Sequence, residues 1–272
     1  ILPVAPTHED RLLAQLPGIA IDVPSITYIE VSTSGQAQLV GEGQPKPELL
    51  IPAVPKVATA RKIAAHVGIS YEAYSGDYGA FVTAVQQELM GAITDKENQQ
   101  LYAGTGEANG QVNGLTTNPL ILTLDASTVT SDPGPWDAIE TAVALLRAGS
   151  AKANPDLALA SPGTWSAIRR QTNVQGDYYV GDPASSEVTT AWGIRVLVST
   201  QFTPGTLTLV DTTRYGHVIV RESIVTRIGY AGTDFTDNIV RLVSEERLTQ
   251  TIERPHAICK ITGMPTSADE AE

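Results

Sequence analysis

Between Phe235 and Ile261 the chain reads F-T-D-N-I-V-R-L-V-S-E-E-R-L-T-Q-T-I-E-R-P-H-A-I-C-K-I, β-branched and charged at once, with no proline before Pro255. Side chains on a strand alternate between two faces, so this pattern predicts one strand long enough to cross most of a domain. Residues 240, 242, 244, 246, 248, 250 and 252 share a face on which Val240, Leu242, Leu248 and Ile252 surround polar Ser244, Glu246 and Gln250. The other face carries 239, 241, 243, 245 and 247, and Asn238 stands just before the near end of the strand. By that parity Asn238 and Glu245 point opposite ways unless a bulge re-aims one. They serve a neighbouring chain more easily than their own. The alternating run at 217–230 predicts an antiparallel partner.

From Asp77 the period changes to 3.6. Phe81, Val85, Leu89 and Ile93 recur every four residues beside Val82 and Met90, and Leu101 closes a long helix that ends at Gly104-Thr105-Gly106. The run G-T-G-E-A-N-G at 104–110 follows a helix instead of a strand, and its third glycine comes one place late, which argues against a phosphate loop. Further on, the pattern predicts a helix over Trp136–Ala148, opened by Asp132 and Pro133 and stopped by Gly149. A strand over Leu157–Ala160, a helix starting at Ser161, a turn-rich loop over 172–183, and strands at Ile194–Ser199 and Leu207–Val210 follow. Towards the N-terminus, Pro3, Pro6, Pro17 and Pro24 break any continuous helix. They leave an extended arm with a short helix at His8–Gln15 and a strand at 26–31. In residues 36–70 the Gly-Pro cluster at 41–48 adjoins alternating apolar runs, predicting two long strands joined by a proline-stiffened tip. Such a hairpin has little core of its own and needs a partner surface.

Composition then narrows the class. An apolar fraction of 42% supports a substantial core, and 6% aromatic content with abundant Val, Ile, Thr, Gly and Pro favours an α+β fold over a helical bundle. A net charge of −12 excludes a surface built to grip nucleic acid. The single cysteine, Cys259, lies in an apolar run and reads as a small buried hydrophobe, with no disulfide framework. His8, His66, His217 and His256 are scattered, so neither a metal site nor a cofactor is expected. No G-x-S-x-G occurs, and Glu245 and Glu246, being adjacent on a strand, cannot form an acid/base couple. Ordinary ion pairs, Glu246 with Arg247 or Arg254 and Glu245 with Arg241 or Arg247, account for them. No run of about 18 apolar residues suits a membrane. The start at Ile1 fits either a trimmed chain or proteolysis upstream.

These features coincide with a set of motifs in fixed order. They are E-G-x-x-K-P-E at 42–48 with K-I-A-A-H-V at 62–67, L-Y-A-G-T-G at 101–106 with N-G-L at 113–115, S-P-G-T-W at 161–165, and W-G-I-R-V at 192–196. N-I-V-R-L-V-S-E-E-R at 238–247 with R-P-H-A-I at 254–258 completes them. In this the chain resembles the major capsid proteins of tailed bacteriophages, with the Hong Kong 97-type fold, over nearly its whole length. The resemblance implies an N-terminal arm (1–35), an extended loop (36–70), a peripheral domain with a spine helix (71–116), and an axial domain (117–212). Strands returning to the peripheral domain (213–263) and an acidic tail (264–272) would follow. It also implies processing by a prohead protease and self-assembly into hexamers and pentamers of an icosahedral shell around double-stranded DNA. Assembly would occur in the host cytoplasm and end in the virion, with scaffolding, portal and decoration proteins as further partners.

Part of that family joins subunits by an isopeptide bond between a loop lysine and a peripheral asparagine, with a glutamate as catalyst. The matching positions are Asn238 and Glu245, and Lys56 is the loop lysine, with Lys46 as fallback. Lys56 departs from the family's position by one residue and is crowded by Pro52 and Pro55. An amine freed of its proton by the glutamate would attack the Asn238 amide and release ammonia, once per residue and without turnover. Two other readings compete, an encapsulin-like bacterial nanocompartment shell and a soluble hydrolase using Glu245 as base.

Overall fold

The computed structural model describes residues 11–32, 37–48, 51–77, 79–129, 134–173, 175–180 and 189–267. His8, Asp132, Pro133, part of the 172–183 loop and the end of the acidic tail lie outside them. In chain order the elements are β1 (Gly18–Ala20), β2 (Ser25–Val31), β3 (Ala53–Thr59), β4 (Arg61–Ser70), α1 (Gly79–Ala103), β5 (Leu122–Asp125), α2 (Gly134–Ala148) and β6 (Leu157–Ala160). They continue with α3 (Pro162–Arg169), β7 (Thr190–Ala191), β8 (Ile194–Val198), β9 (Leu207–Val210), β10 (Gly216–Gly229), β11 (Ile239–Ile252) and β12 (Ile258–Thr262). Leu12–Gln15 is a short 3-10 turn where the sequence suggests a helix.

The long strand forms as its alternation requires. Every even position of β11 from Val240 to Ile252 is buried. It pairs antiparallel with β10 on one side and with β4 on the other, in a sheet ordered β1-β10-β11-β4. The β4 register runs unbroken from Ile239 opposite Ser70 to Leu248 opposite Arg61, so Ile63, Ala65, Val67 and Ile69 join the even face of β11. The bulges lie on β10, around Glu222. No bulge interrupts the alternation within β11, but Asn238 precedes the strand at φ 54°, so strand parity does not extend to it.

Against this face lies α1, about 37 Å long at 1.5 Å per residue. Its first half packs Val82, Val85 and Leu89 on Ile69, Val240 and Leu242. Its last turn drives Leu101 and Tyr102 into a second, larger core shared with α2, α3 and a six-stranded sheet ordered β5-β12-β9-β6-β8-β7. There Tyr102 stacks near Phe202 with ring centroids 4.7 Å apart, and its hydroxyl lies 3.0 Å from Thr206 Oγ1. Cys259 is wholly buried on β12, as expected of a small hydrophobe. That strand belongs to the six-stranded sheet, so the chain ends its described course in the larger core and not beside β11.

α1 stops where two backbones cross. Gly104 donates to Gln100 O at 2.9 Å, and Gly114 donates to Gly104 O at 2.9 Å. A Cβ on Gly104 would lie 2.3 Å from Val112 O, and one on Gly114 2.4 Å from Gly104 N. Within the G-T-G-E-A-N-G run the crossing accounts for Gly104, and the positive φ of Gly106 and Gly110, 90° and 70°, accounts for the other two glycines. Ser161 caps α3 by accepting from Thr164 N, with Pro162 in the first turn, as its sequence predicts.

One strand pairing differs from expectation. The partner of β3 is β2, from the segment read as arm, with Tyr28 opposite Lys56 and Val31 opposite Ala53. β4 turns away instead, because its alternating apolar side chains are needed against β11. The hairpin is therefore built from β2 and β3, and its tip lies beyond Val31 and Ala53.

Candidate functional site

Three clusters of charged side chains stand at the junctions of these elements. The first lies on the odd, outward face of β11. Glu245 sits opposite Ala64 of β4, which sets Lys62 diagonally beside it, and its carboxylate accepts from Lys62 Nζ at 2.6 Å and from Arg227 Nη1 at 2.9 Å. The hydrogen bond from Lys62, with the charges of Lys62 and Arg227, holds this carboxyl below the ordinary value. The ion pairs with Arg241 or Arg247 expected for Glu245 are not the ones formed. Arg241 instead clamps Asp234 at 2.5 and 2.9 Å, and Arg247 faces Glu222 at 3.5 Å.

Asn238 precedes β11 in the left-handed conformation, φ 54°, and its carbonyl accepts from Tyr71 N at 2.7 Å. Seven residues of strand separate its Cα from that of Glu245 by about 23 Å. Lys56 belongs to a different sheet, on the inner face of the β2–β3 hairpin. The three sequence-derived residues are thus not brought together within one subunit. Lys46, in the described part of the hairpin tip, is exposed.

The second cluster is at the root of that hairpin. Lys56 Nζ lies 2.7 Å from Glu30 Oε1, and Glu30 Oε2 accepts from Asn118 Nδ2 at 2.8 Å. Glu30 is 3% exposed and Lys56 39%. Lys56 and Asn118 border a cavity of about 260 Å³ lined also by Tyr28, Thr105, Glu107 and Asn113. Burial, and then the charge of Glu30, push the Tyr28 phenol up to about 12.

The third cluster is internal. Glu246, on the buried face of β11, and Glu97 of α1 both receive Arg11, whose Nε lies 2.8 Å from Glu97 Oε2 and whose Nη2 contacts both carboxylates. Leu12 N donates to Asn98 Oδ1 at 2.9 Å beside it. Burial, then Glu97 close by, pushes Glu246 up to about 8. This replaces the expected pairing of Glu246 with Arg247 or Arg254.

Sequence reasoning singled out neither Glu30, Asn118 and Lys62 nor Arg11 and Glu97. Only Glu30 carried a signal, an acidic residue in the apolar alternation I-T-Y-I-E-V. The other four depend on register and on packing between distant segments.

The chain thus joins a long helix packed across one sheet to a β2–β3 hairpin and to a second, larger core. The phage capsid family matches residues 8–263. The chain belongs to the phage capsid family. It is thus a phage capsid protein, and its place is the virion. No curated protein matches the chain by sequence. Among solved structures it is similar to the capsid of an empty GTA particle, with TM-score 0.73, 15% identity, and 97% of this chain and 93% of that one covered. It is similar also to a chain from Microbacterium phage Oxtober96, with TM-score 0.73, 12% identity and coverage of 96% and 93%. For Mycobacterium phage Bobi the TM-score is 0.71, with 16% identity and coverage of 95% and 92%. At such identities the likeness is one of fold, the Hong Kong 97-type. Among the described residues no helix is long and apolar enough to cross a membrane.

Proposed function

We propose that this capsid protein assembles as hexamers and pentamers of an icosahedral shell around double-stranded DNA, with the β2–β3 hairpin laid over neighbouring subunits. The observation that carries this reading is the hairpin's outward face. Ile29 and Val57 are 56% and 53% exposed there, and Leu39, Val40 and Ile51 near the tip are exposed as well. A large aliphatic side chain gains about 1.5–3 kcal/mol on burial, so this face calls for a neighbour's surface. Portal, scaffolding and decoration proteins would bind the same shell. The net charge of −12 fits a wall that does not adsorb the genome it encloses.

Replacing Ile29 and Val57 together by Glu should leave a folded subunit by circular dichroism and abolish particles in electron micrographs. Normal particles from that variant would overturn the role of the hairpin. Shells that enclose a cargo protein and no DNA would favour a nanocompartment instead.

The same reading extends to a bond between Lys56 of one subunit and Asn238 of another, with Glu245 of a neighbour as base. Because these residues stand apart in one chain, the bond is one between subunits, and Glu245 must exchange Lys62 and Arg227 for the incoming lysine. A ladder of multimers from boiled, reduced particles would support it. A single band at 28.8 kDa would refute it.

A further inference from the structure

The cluster at the hairpin root has the composition of a self-modifying site. We propose that Lys56 and Asn118 of the same chain form an isopeptide bond, with Glu30 as the proton carrier. This inference does not rest on the shell reading, and it uses an acceptor other than Asn238.

Each residue is placed for a step. Glu30 is buried, and its two carboxylate oxygens hold the two groups that must exchange protons, the Lys56 ammonium at 2.7 Å and the Asn118 amide nitrogen at 2.8 Å. The amide oxygen of Asn118 accepts from Leu120 N at 2.9 Å. That backbone donor polarises the carbonyl in the ground state and can stabilise the oxyanion formed on attack. Lys56 reaches the site from β3, Glu30 from β2 and Asn118 from the loop after the glycine crossing, so the parts meet only once the hairpin has docked. Lys56 is the adaptable member, since its flexible stem lets Nζ leave Glu30 and approach the amide carbon to the roughly 3–3.5 Å that attack requires.

Lys56 Nζ first gives a proton to Glu30 Oε1, and the free amine attacks Asn118 Cγ, forming a C–N bond and an oxyanion at Oδ1. Glu30 then returns that proton to Nδ2 and takes a second from the attacking nitrogen, the oxyanion collapses as the Cγ–Nδ2 bond breaks, and the departing ammonia takes the second proton from Glu30, leaving it a carboxylate again. An ammonium cation and an amide linking the two side chains are the products, without oxidant or metal. The product fastens the hairpin to the loop that follows α1. It also removes Lys56 from any bond to Asn238.

Intact mass spectrometry of the full chain, from assembled particles and from unassembled subunits, tests this together with peptide mapping. The expected result is a monomer about 17 Da lighter than its sequence, through loss of ammonia, and a branched tryptic peptide joining the Lys56 and Asn118 segments. Lys56→Arg keeps the positive charge beside Glu30 and should fold with the full mass, as should Asn118→Ala and Glu30→Gln. Succinimide at Asn109-Gly110 or Asn113-Gly114 would shed the same mass, so a loss that persists in K56R overturns the proposal. Full mass in both wild-type preparations overturns it too. A branched peptide ending at Asn238, with a multimer ladder, would overturn it by assigning Lys56 to the inter-subunit bond. Absence of particles would count against the shell reading alone.

Discussion

Replacing Glu246 by Gln should change how stability depends on pH. Burial, with Glu97 beside it, raises the Glu246 carboxyl from 4.5 to about 8 in the folded chain. A carboxyl that is raised on folding favours the native state when protonated. Its contribution is therefore fully present below about pH 4.5 and lost as pH rises through about 8. At roughly 1.36 kcal/mol per pH unit the whole interval corresponds to at most about 5 kcal/mol. Because Arg11 opposes the shift and the surroundings relax on ionisation, about 2 kcal/mol is the working expectation. The substituted carboxamide cannot ionise, and its loss of the Arg11 charge contact adds an offset that varies little with pH. Urea unfolding of wild type and E246Q at steps between about pH 5 and 9 would measure the difference. Glu245, Asp234 and the other groups common to both chains largely cancel from it. The difference should shift by about 2 kcal/mol in favour of the variant as pH rises across the window. Parallel curves would refute the argument that burial between β11 and α1 raises the Glu246 carboxyl.

Arg11→Ala leaves those two carboxylates without their cation. It should cost about 2–4 kcal/mol, more at high pH than at low, and expose the segment before β1 to limited proteolysis. Gly104→Ala places a Cβ 2.3 Å from Val112 O and should cost more than about 3 kcal/mol in urea unfolding. Gly110→Ala, at φ +70° with nothing within 4 Å, should cost only about 1 kcal/mol, and equal losses at the two sites would refute the crossing as the reason for the glycine.

Much of the fold was legible because periodicity reports burial directly. The even face of β11, the long helix, the helix start at Ser161 and the buried Cys259 all follow from the local pattern. The hairpin shows where that stops. Alternation identified a strand at 26–31 and paired strands within 36–70, but not that β3 would take β2 and leave β4 to β11. That choice is set by which side chains the distant strand must bury. The charged clusters were less visible still. Parity correctly sent Glu245 and Glu246 to opposite faces, yet their partners Lys62 and Arg11 are 183 and 235 residues away in sequence. Glu30 was readable as an oddity and Asn118 was not, since nothing local distinguishes it from a turn residue, a role its amide oxygen also fills by accepting from Leu120 N.

The positions of Glu246 and Glu97 have a mechanical consequence. Val240 and Leu242 precede Glu246 in the smaller apolar cluster, while Leu248 and Ile252 follow it in the larger, and along α1 Leu89 and Leu101 divide in the same way about Glu97. A polar seam therefore separates two greasy blocks that share one strand and one helix. Blocks divided in this way can shear by small amounts without baring oil to water, as a continuous core could not. The seam also supplies a stop, because Arg11 must stay within reach of both carboxylates. In the shell proposed above, a subunit placed at both fivefold and sixfold positions would need such limited compliance. Here its range would be governed by the length of a single guanidinium side chain.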